Sequence, residues 1–314
     1  MNNLLRGAAF FSCFLPSFTN IGYRSRRWMW SSRQPDFSGQ RWLVTGASDG
    51  IGREIASQVA GAGAEVHAVG RDAGRLEALA RLPGNWVTHQ QDLSLMNSVS
   101  TFADQLTGQG LSFDVLVNNV GLMLGERQLT DEGLEASFAT NVLGHFVLTE
   151  ALRDGGALQG GMVINMSSGG MYNVPLTLEC LQGEARFDGM LTYAYQKRAQ
   201  VVLNEWWRRQ GLASYVMHPG WVDTGGVRTA MPEFYRLTGP LLRTPGAGAD
   251  TALWLASERP RQSVESDIWF DRAARGAHMF ADTRGGADAP ALLGYLAEQL
   301  EHAAQVEVPV KLAG

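Results

Sequence analysis

The sequence predicts a doubly wound α/β fold: a mostly parallel seven-stranded sheet with helices on both faces, preceded by an N-terminal extension. Three observations carry this. From residue 40 onward, short apolar runs alternate with segments of helical periodicity, the pattern of βαβ units whose strands are buried on both sides. A glycine turn, Thr45-Gly-Ala-Ser-Asp-Gly-Ile-Gly52, separates the first of those strands from the first helix. The chain has 314 residues, 45% hydrophobic and 18% charged, enough to bury a large core and too apolar for wholesale disorder.

Taken in order, Arg41–Thr45 reads as a buried strand and 51–62 as the helix that follows it. Glu65–Val69 is the second strand, 73–82 a helix, Trp86–Gln91 the third strand and 97–106 a helix. Phe113–Val117 is the fourth strand, and a long helix covers 131–152. Met162–Met166 is the fifth strand, 191–209 a helix, Ser214–Met217 the sixth strand, 247–256 a helix and Ile268–Phe270 a short seventh strand. Each parallel crossover should be right-handed. The chain thus divides into an apolar, arginine-rich leader (1–39), a sheet domain (40–275) and a tail (276–314). In the tail Leu292, Tyr295, Leu296 and Leu300 mark an amphipathic helix, and 306–310 reads as an edge strand because Pro309 cannot donate to a ladder.

Several functions are excluded early. A net charge of −5 carries no basic surplus for nucleic acid. Two distant cysteines, Cys13 and Cys180, make neither a disulfide framework nor a cysteine zinc site, and they suit a reducing, cytoplasmic compartment. No apolar run is long enough to span a bilayer. The leader, with Arg6, Arg24, Arg26, Arg27 and Arg33 among Trp28, Met29 and Trp30, leaves three uses open. It packs as a short helix on its own domain, rests on a membrane surface through residues 4–30, or acts as a secretory signal whose apolar run is interrupted by Pro16.

The glycine turn points to a dinucleotide. Gly46 permits a tight turn, Gly50 lets the backbone approach a pyrophosphate, and Gly52 lets the helix pack against the sheet; the helix N-terminus then offers free N–H groups to phosphate. With 37 glycines in the chain such spacing arises by chance roughly 0.5 times, so the weight lies in its position between strand and helix. The second strand ends Val69-Gly70-Arg71 with no acid at its tip. Arg71 suits a 2′-phosphate, which favours NADP over NAD, although Asp72 beside it would repel that phosphate if turned inward.

Tyr193 and Lys197 lie at i, i+4 on one helical face. A nearby ammonium stabilises a phenolate and lowers the pKa of a tyrosine, which can then exchange a proton with a carbonyl or hydroxyl oxygen. Lysine occurs only at 197 and 311, so a tyrosine with lysine four residues on is expected by chance only about 0.04 times. The fifth strand runs into Ser167-Ser168-Gly169-Gly170, at the end of a strand where a serine hydroxyl can donate to the same oxygen.

Together with Asp92-Leu93, Asn118-Asn-Val-Gly121, Asn141 and Pro219-Gly-Trp-Val-Asp-Thr224, these elements resemble the short-chain dehydrogenase/reductase family, in order and at family spacing over about residues 40–275. The stretches Ser167–Met171, Phe187–Gly189, His218–Trp221 and Met231-Pro232 resemble one orphan branch of it. The resemblance implies a Rossmann fold and NADP(H)-dependent hydride transfer between nicotinamide and a carbonyl or alcohol substrate. It makes Tyr193 the acid/base, Lys197 the group that lowers its pKa and holds the nicotinamide ribose, and Ser168 the substrate orienter. Asn141 would hold a relay water on its helix backbone. Gly46, Ser48, Asp49, Gly50, Ile51, Gly52 and Arg71 would line the phosphate and ribose end, Asp92 and Leu93 the adenine, Asn118 the adenosine-side ribose, with Val120 and Gly121 following. Pro219, Gly220, Val222 and Thr224 would border the nicotinamide. Val120 departs from the alanine common in the family.

Segments 171–190 and 225–245, the latter with Val227, Met231, Phe234, Tyr235, Leu237, Leu241 and Leu242, would wall the substrate and suit a lipophilic ketone or aldehyde, or simply cover the core. Trp206 and Trp207 would be core or the seam of a homodimer, which the resemblance permits. Two rivals differ in chemistry. One is an NADP-binding redox sensor that turns over nothing, which usually lacks the tyrosine or lysine; the other is a sugar-nucleotide epimerase, which usually has a shorter glycine spacing and a larger C-terminal domain.

Overall fold

The computed structural model describes residues 12–31, 35–262 and 267–306. Its sheet has eight strands in the order β3-β2-β1-β4-β5-β6-β7-β8. These are β1 (Arg41–Thr45), β2 (Glu65–Gly70), β3 (Asn85–Gln90), β4 (Val115–Asn118), β5 (Met162–Met166), β6 (Ala213–Met217), β7 (Asp267–Phe270) and β8 (Ala273–Gly276). All neighbours pair in parallel except β7 and β8. The chain runs outward from β1 to β3, then returns to the other side of β1 for β4, with Val44 opposite both Ala68 and Val117. That reversal opens a crevice beyond the carboxyl ends of β1 and β4.

The strand cores are apolar because both faces are covered: Leu43, Val44, Val66, Ala68, Leu116, Val117, Val163 and Ile164 are fully buried. Helix α3 (Gly50–Gly61) packs Ile55, Ala56 and Val59 on one face, beside α11 (Pro245–Glu258). On the other face α5 (Met96–Gly108), α7 (Gly144–Asp154) and α8 (Gly189–Arg209) cover the sheet. Two departures from expectation have clear causes. The eighth strand, Ala-Ala-Arg-Gly, carries no apolar alternation and is mostly exposed, so nothing in its pattern announced it. It forms because Asp271 and Arg272 adopt positive φ (49° and 58°), the conformation of a two-residue hairpin turn. The long helix expected over 131–152 begins later, at α6 (Ala136–Phe138), where Glu135 caps the Ser137 and Phe138 N–H groups. It then widens into a π-turn over Ala139–Leu143 before α7.

The leader is part of the domain's packing wherever it is described. Residues 12–18 and α2 (Asn20–Arg27) are helical. Phe18 is 1% exposed and stacks on His218 at 4.3 Å, with Phe270 and Trp221 at its edges. Arg243 donates to the carbonyls of Ser17 and Phe18 and pairs with Asp271 at 2.6 Å; Arg26 pairs with the same carboxylate. The apolar side chains of Ile21, Trp28 and Met29 stay outside. No helix among the described residues is long and apolar enough to cross a membrane. The tail helix α12 (Ala289–Gln305) buries Leu292 and Leu296 in the cluster that also holds Trp207 and Leu203 of α8. Val306 caps α12, and the rest of the expected edge strand lies outside the described residues.

Candidate active site

The glycine turn sits at the end of β1 as expected. Gly46 and Gly50 have φ of 65° and 54°, conformations that favour glycine. A Cβ on Gly52 would lie 2.3 Å from the Gly46 carbonyl and from Asn119 Nδ2, so only glycine lets the helix approach. Sequence reasoning missed what holds the turn. Thr45 Oγ1 donates to Val117 O and accepts from the N–H groups of Asn119 and Val120, while Asn119 Nδ2 donates to Thr45 O at 2.8 Å. The second asparagine of the Asn-Asn pair is therefore the clamp between β1 and β4. Asn118, expected at a ribose, turns its side chain into the sheet, donating to Thr149 and Asn165, so only its backbone is left for a ligand. The side chains of Leu93 and Val222 are buried, Val222 being packed beside Ile51 at Gly248, so any contact they make with a ligand is through the backbone.

The outer edge of this half is charged and open. Asp49 caps α3 through the Gly50 N–H and pairs with Arg75 at 2.9 Å. Arg71 lies 3.8 Å from Asp92. Asp72 does not turn inward: its carboxylate caps α4 (Ala73–Ala80) by accepting from Arg75 N–H. Ser48 lies over the end of β2, beside Gly70. Thr224, which caps α9 (Gly225–Ala230), approaches the turn at Gly50. A cavity of about 520 Å³ lies between the turn and the 223–228 segment, lined by Asp49, Arg53, Asp223 and Arg228 among others. The turn fits a dinucleotide diphosphate through glycine backbone at positive φ and a helix N-terminus, while the cavity beside it carries three carboxylates, Asp49, Glu54 and Asp223, against Arg53 and Arg228.

The other half of the site is built from side chains, with Lys197 and Asn141 buried and Tyr193 partly so. Tyr193 and Lys197 share a face of α8, with Nζ 5.3 Å from the phenol ring centroid. Ser168, half-buried after β5, lies on the Tyr193 side of the site, where it pulls the pKa of the Tyr193 hydroxyl down. Ser167 is not its equivalent: it is buried and donates to the Lys197 carbonyl. Lys197 Nζ donates to Met166 O at 2.8 Å and to Gln200 Oε1 at 3.2 Å. Gly121 lies against the amine, since a Cβ there would sit 3.6 Å from Nζ. Asn141, in the π-turn, uses its side chain on both backbone groups of Leu122 and on Gln196. Its carbonyl, expected to hold a water, accepts from Gln200 Nε2 at 2.7 Å.

The electrostatics depart from the sequence expectation. Burial pushes the Tyr193 hydroxyl up to about 12, with only the Ser168 hydrogen bond pulling it down. Burial pulls Lys197 down to about 7. Spacing alone predicts that the ammonium acidifies the phenol; here desolvation pushes both groups toward their neutral forms, although Tyr193 keeps part of its surface exposed. Nearby, Gly220 (φ 82°) is forced to be glycine, because Arg243 would collide with a Cβ there. Arg243 also donates to Pro219 O, and His218 Nδ1 accepts from Gly220 N–H at 2.6 Å. The loop expected at the nicotinamide is thus braced by Arg243 and, through it, by the leader. Trp207 is core and donates to Glu150, not a surface seam; Trp206 is half-buried against Arg153. Leu242 is also core, while Leu237 is 77% exposed.

Comparison with known proteins agrees with this geometry. A family model described as short chain dehydrogenase matches residues 40–179. Dehydrogenase/reductase SDR family member 12 of Bos taurus is 40% identical over 291 residues, covering 88% of this chain and 91% of that protein. The chain belongs to the short-chain dehydrogenase/reductase family. Within it, the chain is of the member-12 type and is an oxidoreductase by membership. Human retinol dehydrogenase 11, another relative, is 31% identical over 230 residues, covering 68% of this chain and 71% of that one. Among solved structures, an uncharacterized protein of Mycobacterium paratuberculosis superposes with a TM-score of 0.66 at 26% identity, over 90% of this chain and 99% of that one. The eight-stranded, mostly parallel sheet is the family's Rossmann fold, with one strand more than the sequence indicated.

Proposed function

We propose that the protein is an NADP(H)-dependent oxidoreductase acting on a lipophilic carbonyl or its alcohol, with Tyr193 as proton donor and acceptor. The observation that carries the reading is the pairing itself: Lys197 Nζ 5.3 Å from the Tyr193 ring centroid on one face of α8, with Ser168 at the carboxyl end of β5 acting on the same hydroxyl. The bound dinucleotide supplies the hydride and the binding energy of its phosphates. Gly46, Gly50, Gly52 and the start of α3 hold the diphosphate, and Arg71 and Arg75 meet the 2′-phosphate. Ser168 and Tyr193 both bond the substrate oxygen. At neutral pH a phenol with its pKa raised to about 12 carries its proton, the state needed to protonate a developing alkoxide. Lys197 and Ser168 then stabilise the phenolate.

Support for a lipophilic substrate comes from the exposed Met190, Leu191 and Leu237 on the segments beyond β5 and β6 and from the retinol dehydrogenase likeness. The exposed Trp28 and Met29 beside Arg24 and Arg27 favour peripheral contact of the leader with an anionic membrane. The deciding experiment is NADPH oxidation against a panel of aldehydes and ketones, with NADH in parallel. Turnover of apolar carbonyls with NADPH is expected. Tight NADPH binding with no turnover of any carbonyl would instead identify the redox sensor.

A further inference from the structure

Gln200 is a buried carboxamide that the proposed chemistry by itself does not use. It lies on α8 one turn after Lys197, and its side chain makes three hydrogen bonds, two of them to Lys197 and Asn141. Its Oε1 accepts from Lys197 Nζ at 3.2 Å. Its Nε2 donates to Asn141 O at 2.7 Å and meets His145 Nδ1 at 3.1 Å. All four residues are 2% exposed or less.

The orientation of this amide is dictated by its neighbours. The Asn141 carbonyl is acceptor-only, so the nitrogen must face the π-turn and the oxygen the amine. His145 must then present Nδ1 as an acceptor, which burial reinforces by pulling the ring down to about 3 and keeping it neutral. The π-turn makes the contact available. Gly144 N–H bonds to Ala139 O, five residues back, which takes this stretch out of α-helical register beside α8.

We propose that Gln200 is a positioning residue: a clamp without an exchangeable charge that ties Lys197 Nζ to the π-turn and so fixes the amine beside Tyr193. The inference rests on the function proposed above. The groups around the amine are Tyr193 on its own helix, Met166 O from β5, the Asn141 side chain from the π-turn and His145 from α7, whose ring is coupled to the amine through space. None of them is a carboxylate. The carboxamide neither accepts nor releases a proton at working pH.

The chain has only two lysines, Lys197 and Lys311, so 13Cε-lysine labelling gives two NMR signals, assigned with Lys311→Arg. In the wild type one should titrate near 7 and the other near the ordinary value of about 10.4. Gln200→Glu, which sets a carboxylate against the amine, should raise the Lys197 titration by about one unit or more, roughly tenfold in proton affinity. Gln200→Met, similar in shape and lacking both hydrogen bonds, should lower it. The pH profile of kcat should move with the lysine in the Glu variant, while KM changes little. A folded Glu or Met variant whose Lys197 titration does not move overturns the clamp. The lysine titration needs no turnover, so an inactive wild type would remove the proposed function while leaving the clamp testable.

Discussion

The two halves of the crevice are made of different materials. At the β1 end the site is backbone: glycines at positive φ, a helix start, and a rim of exposed charges in which Arg71, Arg75 and Asp49 are each about 60% exposed. At the β5 end it is buried side chains, with Lys197, Gln200, Asn141 and His145 almost wholly removed from water. The first half recognises a group through geometry that any phosphate can use and through screened charges. The second bears on protonation, because burial there pushes the Tyr193 phenol up and pulls the Lys197 amine down. Binding and chemistry should therefore fail separately when each half is changed.

The largest separation is expected from Tyr193→Phe. It removes the proton donor and the Ser168 partner but leaves the glycine turn intact. Carbonyl reduction should fall about 10²–10⁴-fold or below detection, with NADPH affinity, followed by fluorescence, unchanged within about twofold. Gly52→Ala is the converse. Its Cβ would meet the Gly46 carbonyl and Asn119, so the turn must open. NADPH binding should drop by tens of fold or more, with a lower Tm reflecting about 1–3 kcal/mol of overpacking. Smaller still is the double change Arg71→Ala and Arg75→Ala. Both arginines are exposed, so the preference for NADPH over NADH should fall by about tenfold, read as the ratio of kcat/KM values.

The gentlest test is acid. His145 and His218 are buried and held neutral, each pulled down to about 3 by burial, with the Lys197 charge adding for His145 and that of Arg243 for His218. Their folded pKa lies below the unfolded value of about 6.5. Between those values the unfolded chain binds more protons, so stability is fully present above about 6.5 and falls as pH drops toward 3. Each group should contribute on the order of 1 kcal/mol per pH unit in that window, measured as urea midpoints at pH 7, 6 and 5. The loss should disturb the tyrosine half first, followed through near-UV signals of the aromatic cluster around His218.

How much of this was legible follows the same division. The order of strands and helices could be read because strands buried on both faces are apolar runs, and the Tyr193–Lys197 pair because lysine is so rare in this chain. The eighth strand could not: its stability comes from a hairpin turn anchored by Arg243 and Arg26 on Asp271, residues far apart in sequence. Gln200 carried one faint signal, its position three residues after Lys197. Nothing local said that a π-turn from another helix would face it.

The leader makes the same point in reverse. Its composition allowed a membrane-surface segment, a signal or a packed helix, and contacts decide where its described part sits. Phe18 is locked against His218, and its carbonyl is held by Arg243 and the Trp221 N–H.

By itself the sequence determined the class of fold, the place of the glycine turn and the pairing of Tyr193 with Lys197, because each depends on short-range spacing along one strand–turn–helix or one helical face. Only the tertiary structure decided how far that pair is withdrawn from water, the direction of the Asn118 side chain and the bracing of the 218–224 loop. Those depend on which groups are driven out of water together, and burial is a property of the packed whole.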